Sequence, residues 1–164
     1  GIARTFQLVR LAGSLSVREN VLLPIYFAGP TRNQSLARDI ADETLERVGL
    51  KDCGSRRVDD LNYIDQKRVE LARAIATKPR LLLLDEWMAG LNPSELNVAI
   101  DLIASLNGAN TSILLVEHIM QAVRALCPRC IVMSAGATLA DGPTGEVLAR
   151  RDVIDAYLGS AAHA

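Results

Sequence analysis

Apolar residues recur along this chain in two patterns, helical stripes and short continuous runs. The clearest stripe predicts an amphipathic helix over residues 35–48, because its apolar side chains fall on one helical face. Gly49 follows as the C-terminal stop. The residues of the stripe are Leu36, Ile40, Ala41, Leu45 and Val48.

A shorter helix is predicted over residues 16–27. Ser16 is a suitable N-cap, and Glu19 completes a capping box with it. Pro24 is expected to end this helix, because proline lacks the N–H group that the helical ladder needs. Later helices are predicted over residues 66–77, 93–106 and 119–126, followed by short helices at 144–150 and 152–158.

Two continuous apolar runs have the length of buried strands. The first is Leu81 to Leu84, followed by Asp85 and Glu86, and the second covers residues 112–116. Residues 130–134 and 137–141 flank Ala135-Gly136 and predict a β-hairpin. The alternation of strands and helices therefore predicts an α/β fold with a mostly parallel sheet flanked by helices.

The bulk composition excludes several partners. The 164 residues include 18 basic and 19 acidic side chains and only 4% aromatics, which gives no basic face or stacking platform for nucleic acid. No run of 18 apolar residues is present to cross a membrane. Cys127 and Cys130 have CxxC spacing, but no second pair completes a zinc site, so we expect ordinary thiols.

Candidate chemistry lies after the two apolar runs. Ligands of α/β sheets bind beyond the carboxyl ends of the strands, which is where Asp85 and Glu86 fall. Asp85 could hold Mg²⁺ and Glu86 could act as a general base on water. The competing interpretation is a buried strand that simply ends in solvated acids.

Two further polar residues extend this candidate site. His118 follows the second run, at the same predicted edge of the sheet, and could donate a hydrogen bond to a phosphate. Without a ligand it would be an ordinary residue at the start of a helix. Gln7, in the segment Thr5-Phe6-Gln7, could offer its amide oxygen to a metal ion and reach a water.

The order of these motifs resembles the ATP-binding subunits of ABC transporters, and most closely those of branched-chain amino acid importers. The segments that carry the resemblance span nearly the whole chain. They are Arg4 to Gln7, Leu61 to Arg68 with the tract that follows to Pro79, Leu81 to Glu86, Ala89 to Pro93, Val116 to His118, and the C-terminal stretch from Ala140 to Gly159.

The resemblance implies a role for each candidate residue. Gln7 would be the Q-loop glutamine beside Mg²⁺, Asp85 the Walker B aspartate, Glu86 the catalytic base and His118 the switch histidine. Asn92 would belong to the D-loop, and the signature motif that contacts ATP would be Asn62, Tyr63, Ile64 and Asp65. It also implies a P-loop NTPase-like sheet with an inserted helical subdomain, at about residues 9–78, and a C-terminal part of the catalytic core at 79–164.

The resemblance further implies cofactors, partners and a location. ATP and Mg²⁺ would be the cofactors, and a second ATP-binding subunit and transmembrane permease subunits the partners. The protein would lie on the cytoplasmic face of the plasma (inner) membrane. The resemblance gives no nucleic acid partner.

The chain departs from the family pattern in three places. It contains no G-x-x-x-x-G-K-[ST] loop, and it begins at Gly1 in what reads as the interior of a domain, so we expect the N-terminal part to be missing. In the signature, Ile64 stands where glycine lets the backbone approach phosphate, and Asp65 places a carboxylate near the phosphate, so both should weaken ATP binding. Trp87 replaces the proline that usually follows the Walker B glutamate, with no evident reason.

Three functions are compatible with this sequence. The first is the ATPase subunit of an amino acid importer, which Glu86 and His118 favour. The second is an ABC-type docking module or fragment that does not hydrolyse ATP, which Ile64, Asp65 and the missing loop favour. The third is an ABC-type ATPase outside transport, which the lack of a basic face and of coiled-coil heptads disfavours.

Overall fold

The computed structural model describes residues 1–108 and 110–161, the last four of these by their backbone alone. The chain divides into two compact units, one over residues 1–117 and the other from His118 onward. Within the described residues, no helix is long and apolar enough to cross a membrane.

A parallel sheet forms the centre of the first unit. Its strands are β1 (Ile2–Arg4), β2 (Leu81–Asp85) and β3 (Ser112–Val116), in the order β1-β2-β3. Its helices are α1 (Val17–Ala28), α2 (Gln34–Arg47), α3 (Tyr63–Ile75) and α4 (Pro93–Leu106), with 3-10 turns at Lys51–Cys53 and Val58–Asp60. The predicted α/β class, with a parallel sheet and flanking helices, is confirmed.

Helix α1 begins as the sequence predicts and ends later. The Glu19 N–H donates to the Ser16 hydroxyl at 3.2 Å, and Glu19 accepts from the Ser16 N–H at 2.8 Å, so the capping box is present. The prediction that Pro24 ends the helix is wrong, because α1 continues to Ala28. Val21 and Ile25 are fully buried on either side of Pro24, and this packing outweighs the missing hydrogen bond.

Strand β3 is less buried than its composition predicts. Leu114 and Val116 each have 51% of their surface exposed, whereas Ile113 and Leu115, at the alternate positions of the strand, are half-buried. In the described sheet β3 is an edge strand, paired only with β2. The expectation of a second fully buried strand is therefore wrong, because an all-apolar run hides the alternation of faces.

The second unit is built on an antiparallel hairpin. Strands β4 (Arg129–Ser134) and β5 (Ala137–Pro143) pair as predicted, and the turn residues Ala135 and Gly136 both have positive φ, 47° and 79°. The unit also contains α5 (Met120–Leu126), α6 (Thr144–Val147) and α7 (Arg151–Ala161). Its small core consists of Val123, Ala140, Val147, Leu148 and Val153.

Candidate functional site

The carboxyl ends of β1 and β2 bring four polar residues together in pairs. The first pair is Arg4 and Asp85, whose Nη2 and Oδ2 atoms are 2.8 Å apart. Both side chains are partly exposed, so solvent screens this ion pair. The Arg4 guanidinium also lies 5.3 Å from the centre of the Phe6 ring. The carboxylate expected to face a metal ion is thus held by a cation from the neighbouring strand.

The second pair is Gln7 and Glu86. Gln7 Nε2 donates a hydrogen bond to Glu86 Oε2 at 2.6 Å, across 79 positions of sequence. The Glu86 backbone has φ of 46°, which is rare for a residue with a side chain, and its N–H donates to the Val116 carbonyl at 2.9 Å. Residues held in such conformations cluster at functional sites, because the surrounding structure has to enforce them.

The segment after Glu86 is anchored to its surroundings at several points. Trp87 and Met88 are both fully buried, and the Met88 N–H donates to Glu117 Oε1 at 3.0 Å. Gly90 has φ of 81°, a conformation in which glycine is favoured. Asn92 then caps α4, accepting from the N–H groups of Ser94 and Glu95 at 3.0 Å each.

The predicted signature residues lie at the start of α3. Asn62 is the N-cap, with its Oδ1 accepting from the Asp65 N–H at 2.9 Å, as its residue type predicts. Tyr63 is exposed, and Ile64 is half-buried. The Asp65 carboxylate is 3.0 Å from Arg68 Nη1, so an adjacent cation partly compensates its negative charge.

His118 is the first residue of the second unit. It follows Glu117 directly in the chain, two residues beyond the end of β3. Its predicted role at a phosphate stays a prediction.

A buried carboxyl lies next to the segment that contains Gln7. Glu70, on α3, is 6% exposed, and its Oε1 accepts from the Phe6 N–H at 3.3 Å. Its Oε2 has no hydrogen-bond partner among the described residues. Burial raises the pKa of this carboxyl, although the Phe6 N–H, Lys67 and Arg73 each act to lower the pKa.

The described residues contain no group of three or more His, Cys, Asp or Glu side chains placed to hold a metal ion. Cys53, Cys127 and Cys130 are free thiols. Burial is the main cause that raises the pKa of the Cys127 thiol, with Cys130 adding to it.

Sequence reasoning missed two residues of this site. Arg4 carries no signal of its own within the segment Arg4 to Gln7, although its place on the strand next to that of Asp85 follows from the parallel pairing of β1 and β2. Lys67 is fully buried against Trp87, and no periodicity in the sequence indicates this, because lysine is rarely fully buried.

Comparison with known proteins decides the family. A family profile described as ABC transporter matches residues 1–89. The high-affinity branched-chain amino acid transport ATP-binding protein LivG of Salmonella typhimurium is 43% identical over 98% of this chain and 69% of its own length. This chain belongs to the ABC transporter ATP-binding family.

Other members of the ABC transporter family give the same result. The corresponding BraF protein of Pseudomonas aeruginosa is 38% identical over 98% of this chain and 69% of its own length. A solved ATP-binding cassette of an ABC transporter superimposes with a TM-score of 0.82 at 25% identity, covering 96% of this chain and 68% of that one. A dimeric cassette bound to ADP and Pi in a post-hydrolysis state gives a TM-score of 0.75 at 25% identity, covering 87% of this chain and 62% of that one.

Proposed function

We propose that this chain carries the hydrolytic part of an ATP site in the ATP-binding subunit of an importer for branched-chain amino acids. The observation that carries the proposal is the pairing of Gln7 with Glu86, next to Asp85, at the carboxyl edge of the sheet. The substrate class is supported by the relatives LivG and BraF, whose names assign them to branched-chain amino acid transport.

In the proposed reaction Glu86 is the general base. The oxygen of a water molecule forms a bond to the γ-phosphorus of ATP while the bond to the bridging oxygen breaks, and ADP leaves with that electron pair. The proton of the water passes to the Glu86 carboxylate. Gln7 orients this carboxylate by donating to Oε2, and His118 is proposed to donate a hydrogen bond to the γ-phosphate.

The residues fit Mg²⁺ bound together with a nucleotide. This ion favours oxygen ligands and is commonly held by one or two carboxylates plus substrate phosphates, so the absence of a larger acidic cluster among the described residues is compatible with it. Asp85 and the Gln7 amide oxygen would hold the ion, which supplies positive charge at the phosphates. Arg4 would have to share or release Asp85 when the ion binds.

The proposed assembly follows from the same family. A second ATP-binding subunit would meet the signature residues 62–65, with Asn92 near its nucleotide, and transmembrane permease subunits would dock on the helical subdomain at about residues 9–78. The protein would lie on the cytoplasmic face of the inner membrane. Residues 79–164 would form the C-terminal part of the catalytic core.

A competing function is an ABC-type docking module that does not hydrolyse ATP. The observation in its favour is the signature, where Ile64 and Asp65 stand at positions that approach phosphate in the family. The proposed ATPase also requires a phosphate loop from outside these 164 residues. An in-frame G-x-x-x-x-G-K-[ST] motif upstream of Gly1 in the gene would support the ATPase. An in-frame stop codon upstream of Gly1, with no such motif between the two, would oppose it.

The decisive experiment measures phosphate release from ATP by a protein that contains both these 164 residues and the phosphate loop. Glu86→Gln should lower kcat by about a hundredfold or more, because it removes the general base, while binding of a fluorescent ATP analogue persists. Glu43→Gln, an exposed change on α2, is the matched control and should keep full activity. Equal activity of Glu86→Gln and the unmodified protein would overturn the proposal.

A further inference from the structure

Lys67 and Trp87 hold each other by reciprocal hydrogen bonds. Lys67 Nζ donates to the Trp87 carbonyl at 2.9 Å, and Trp87 Nε1 donates to the Lys67 carbonyl at 3.3 Å. Both residues are 0% exposed. The pair joins helix α3 to the loop after Glu86, because Lys67 and Trp87 are 20 positions apart in the sequence.

A fully buried ammonium group is unusual, because removing its charge from water is costly unless the group is paired. Here the Lys67 ammonium donates a hydrogen bond to the Trp87 carbonyl, and it lies 5.0 Å from the centre of the Tyr63 ring. Glu70, on the next turn of α3, adds a nearby carboxyl. These contacts hold Lys67 in one position. An apolar side chain would occupy this position at a lower desolvation cost.

Tyr63 extends the contact toward the signature. It is the first residue of α3, directly after the Asn62 cap. A Cβ atom placed on Gly90 would lie 3.5 Å from Tyr63 Cε1, so the ring also packs beside the loop that follows Glu86. A continuous series of contacts therefore runs from the start of α3 through Tyr63 and Lys67 to Trp87.

The same loop is also anchored to residues at and just after the end of β3. The Glu86 N–H donates to the Val116 carbonyl, and the Met88 N–H donates to Glu117. Trp87 lies between Glu86 and Met88 in the chain, and its own carbonyl accepts from Lys67 of α3. Because Glu86 has a positive φ that residues with side chains rarely adopt, its backbone conformation has to be enforced by contacts such as these.

We propose that Lys67 and Trp87 are positioning residues that hold the Glu86 carboxylate in its hydrolytic orientation and link it to the signature end of α3. This inference rests on the proposed role of Glu86 as general base. It also explains the presence of Trp87 at this position. The indole N–H supplies the second hydrogen bond to α3, and a proline here could not donate that bond. Both side chains are fully buried, so we expect their loss to act on kcat and to leave KM for ATP nearly unchanged.

The test uses three variants of a protein that contains both these 164 residues and the phosphate loop. Lys67→Met keeps the apolar stem and removes the ammonium, Trp87→Phe keeps an aromatic ring and removes the N–H, and the third variant combines both. Each single change should lower kcat by about tenfold to a hundredfold with KM within about twofold, because small displacements of a catalytic group have effects of this size. The double variant should be no slower than the worse single variant.

Lys67→Arg is the conservative rescue variant, because it retains a buried donor for the Trp87 carbonyl, and it should recover most of the lost kcat. Amide hydrogen exchange of residues 87–89, measured without nucleotide, gives a second readout. Exchange should accelerate in Lys67→Met while residues of β2 stay protected. Unchanged kcat per folded molecule, or unchanged exchange at 87–89, would overturn the inference.

The same series separates this inference from the proposed function. If Glu86→Gln is as active as the unmodified protein, the proposed function has failed and the positioning role fails with it. If Glu86→Gln is inactive while Lys67→Met and Trp87→Phe hydrolyse ATP normally, only the positioning role is overturned.

Discussion

Gln7 Nε2 lies 2.6 Å from Glu86 Oε2 and joins the segment after β1 to the residue after β2. The amide is the donor and the carboxylate oxygen the acceptor, so the charge of Glu86 strengthens the bond. Gln7 thus restrains the orientation of the proposed general base, in addition to its proposed role as an oxygen ligand of a metal ion. This relationship makes the two functions of Gln7 separable by mutation.

Gln7→Glu tests the orienting function with an isosteric change. The substitution replaces the donor with a second carboxylate next to Glu86, and the two negative charges repel at hydrogen-bond distance. We expect kcat to fall by at least about tenfold, equivalent to about 1.4 kcal/mol in the barrier. Gln34→Glu, an exposed site at the start of α2, is the control for added charge and should leave kcat unchanged. Full activity of Gln7→Glu would contradict the orienting role.

The sequence was most informative where local chemistry decides the structure. The capping box of Ser16 and Glu19, the Asn62 cap and the Ala135-Gly136 turn follow from the properties of a few adjacent residues. Asp85 and Glu86 were likewise placed correctly at the end of a central strand, because parallel strands end at one edge of the sheet.

The sequence was less informative where distant contacts decide the structure. Helix α1 passes Pro24 because Val21 and Ile25 are buried against other elements, and the local pattern carries no sign of this packing. The pairing of Lys67 with Trp87 joins positions far apart in sequence and opposes the usual exposure of lysine. The exposure of Leu114 depends on the position of β3 at the edge of the described sheet.

The signature gives the second prediction. Ile64→Gly with Asp65→Gln should increase ATP turnover, because the first change lets the backbone approach phosphate and the second removes a carboxylate and releases Arg68 from its ion pair. The N-cap should persist, since it uses the backbone N–H of residue 65. Each single variant, measured beside the double, assigns the gain. Unchanged turnover in the double variant would show that the natural signature does not limit hydrolysis.

The third prediction separates a cap from a nucleotide contact at Asn92. Its Oδ1 accepts from the N–H groups of Ser94 and Glu95, so Asn92→Ala should lower the free energy of unfolding by about 1 kcal/mol. Asn92→Asp keeps an acceptor and should retain stability in urea titrations. If Asn92 also contacts a nucleotide in the dimer, Asn92→Asp should lower ATP turnover while remaining stable. If Asn92→Ala has the same free energy of unfolding as the unmodified protein, the stabilising role of Asn92 as a helix cap is contradicted.

The last prediction concerns the buried carboxyl of Glu70. Its pKa is raised in the folded protein, chiefly by burial, so the folded state binds its proton more tightly than the unfolded chain does. The stabilisation from this group is therefore complete below the ordinary glutamate pKa of about 4.3 and is lost as pH rises through the higher folded value.

Glu70→Gln removes the titrating group and keeps an oxygen that accepts from the Phe6 N–H. We expect its free energy of unfolding to fall less than that of the unmodified protein between pH 4 and pH 8, so that the variant gains relative stability toward neutral pH. Urea titrations at several pH values measure this difference, and Glu43→Gln, exposed on α2, serves as the control. Parallel pH profiles for Glu70→Gln and the unmodified protein would mean that Glu70 titrates alike in the folded and unfolded states, which its burial beneath Phe6 argues against.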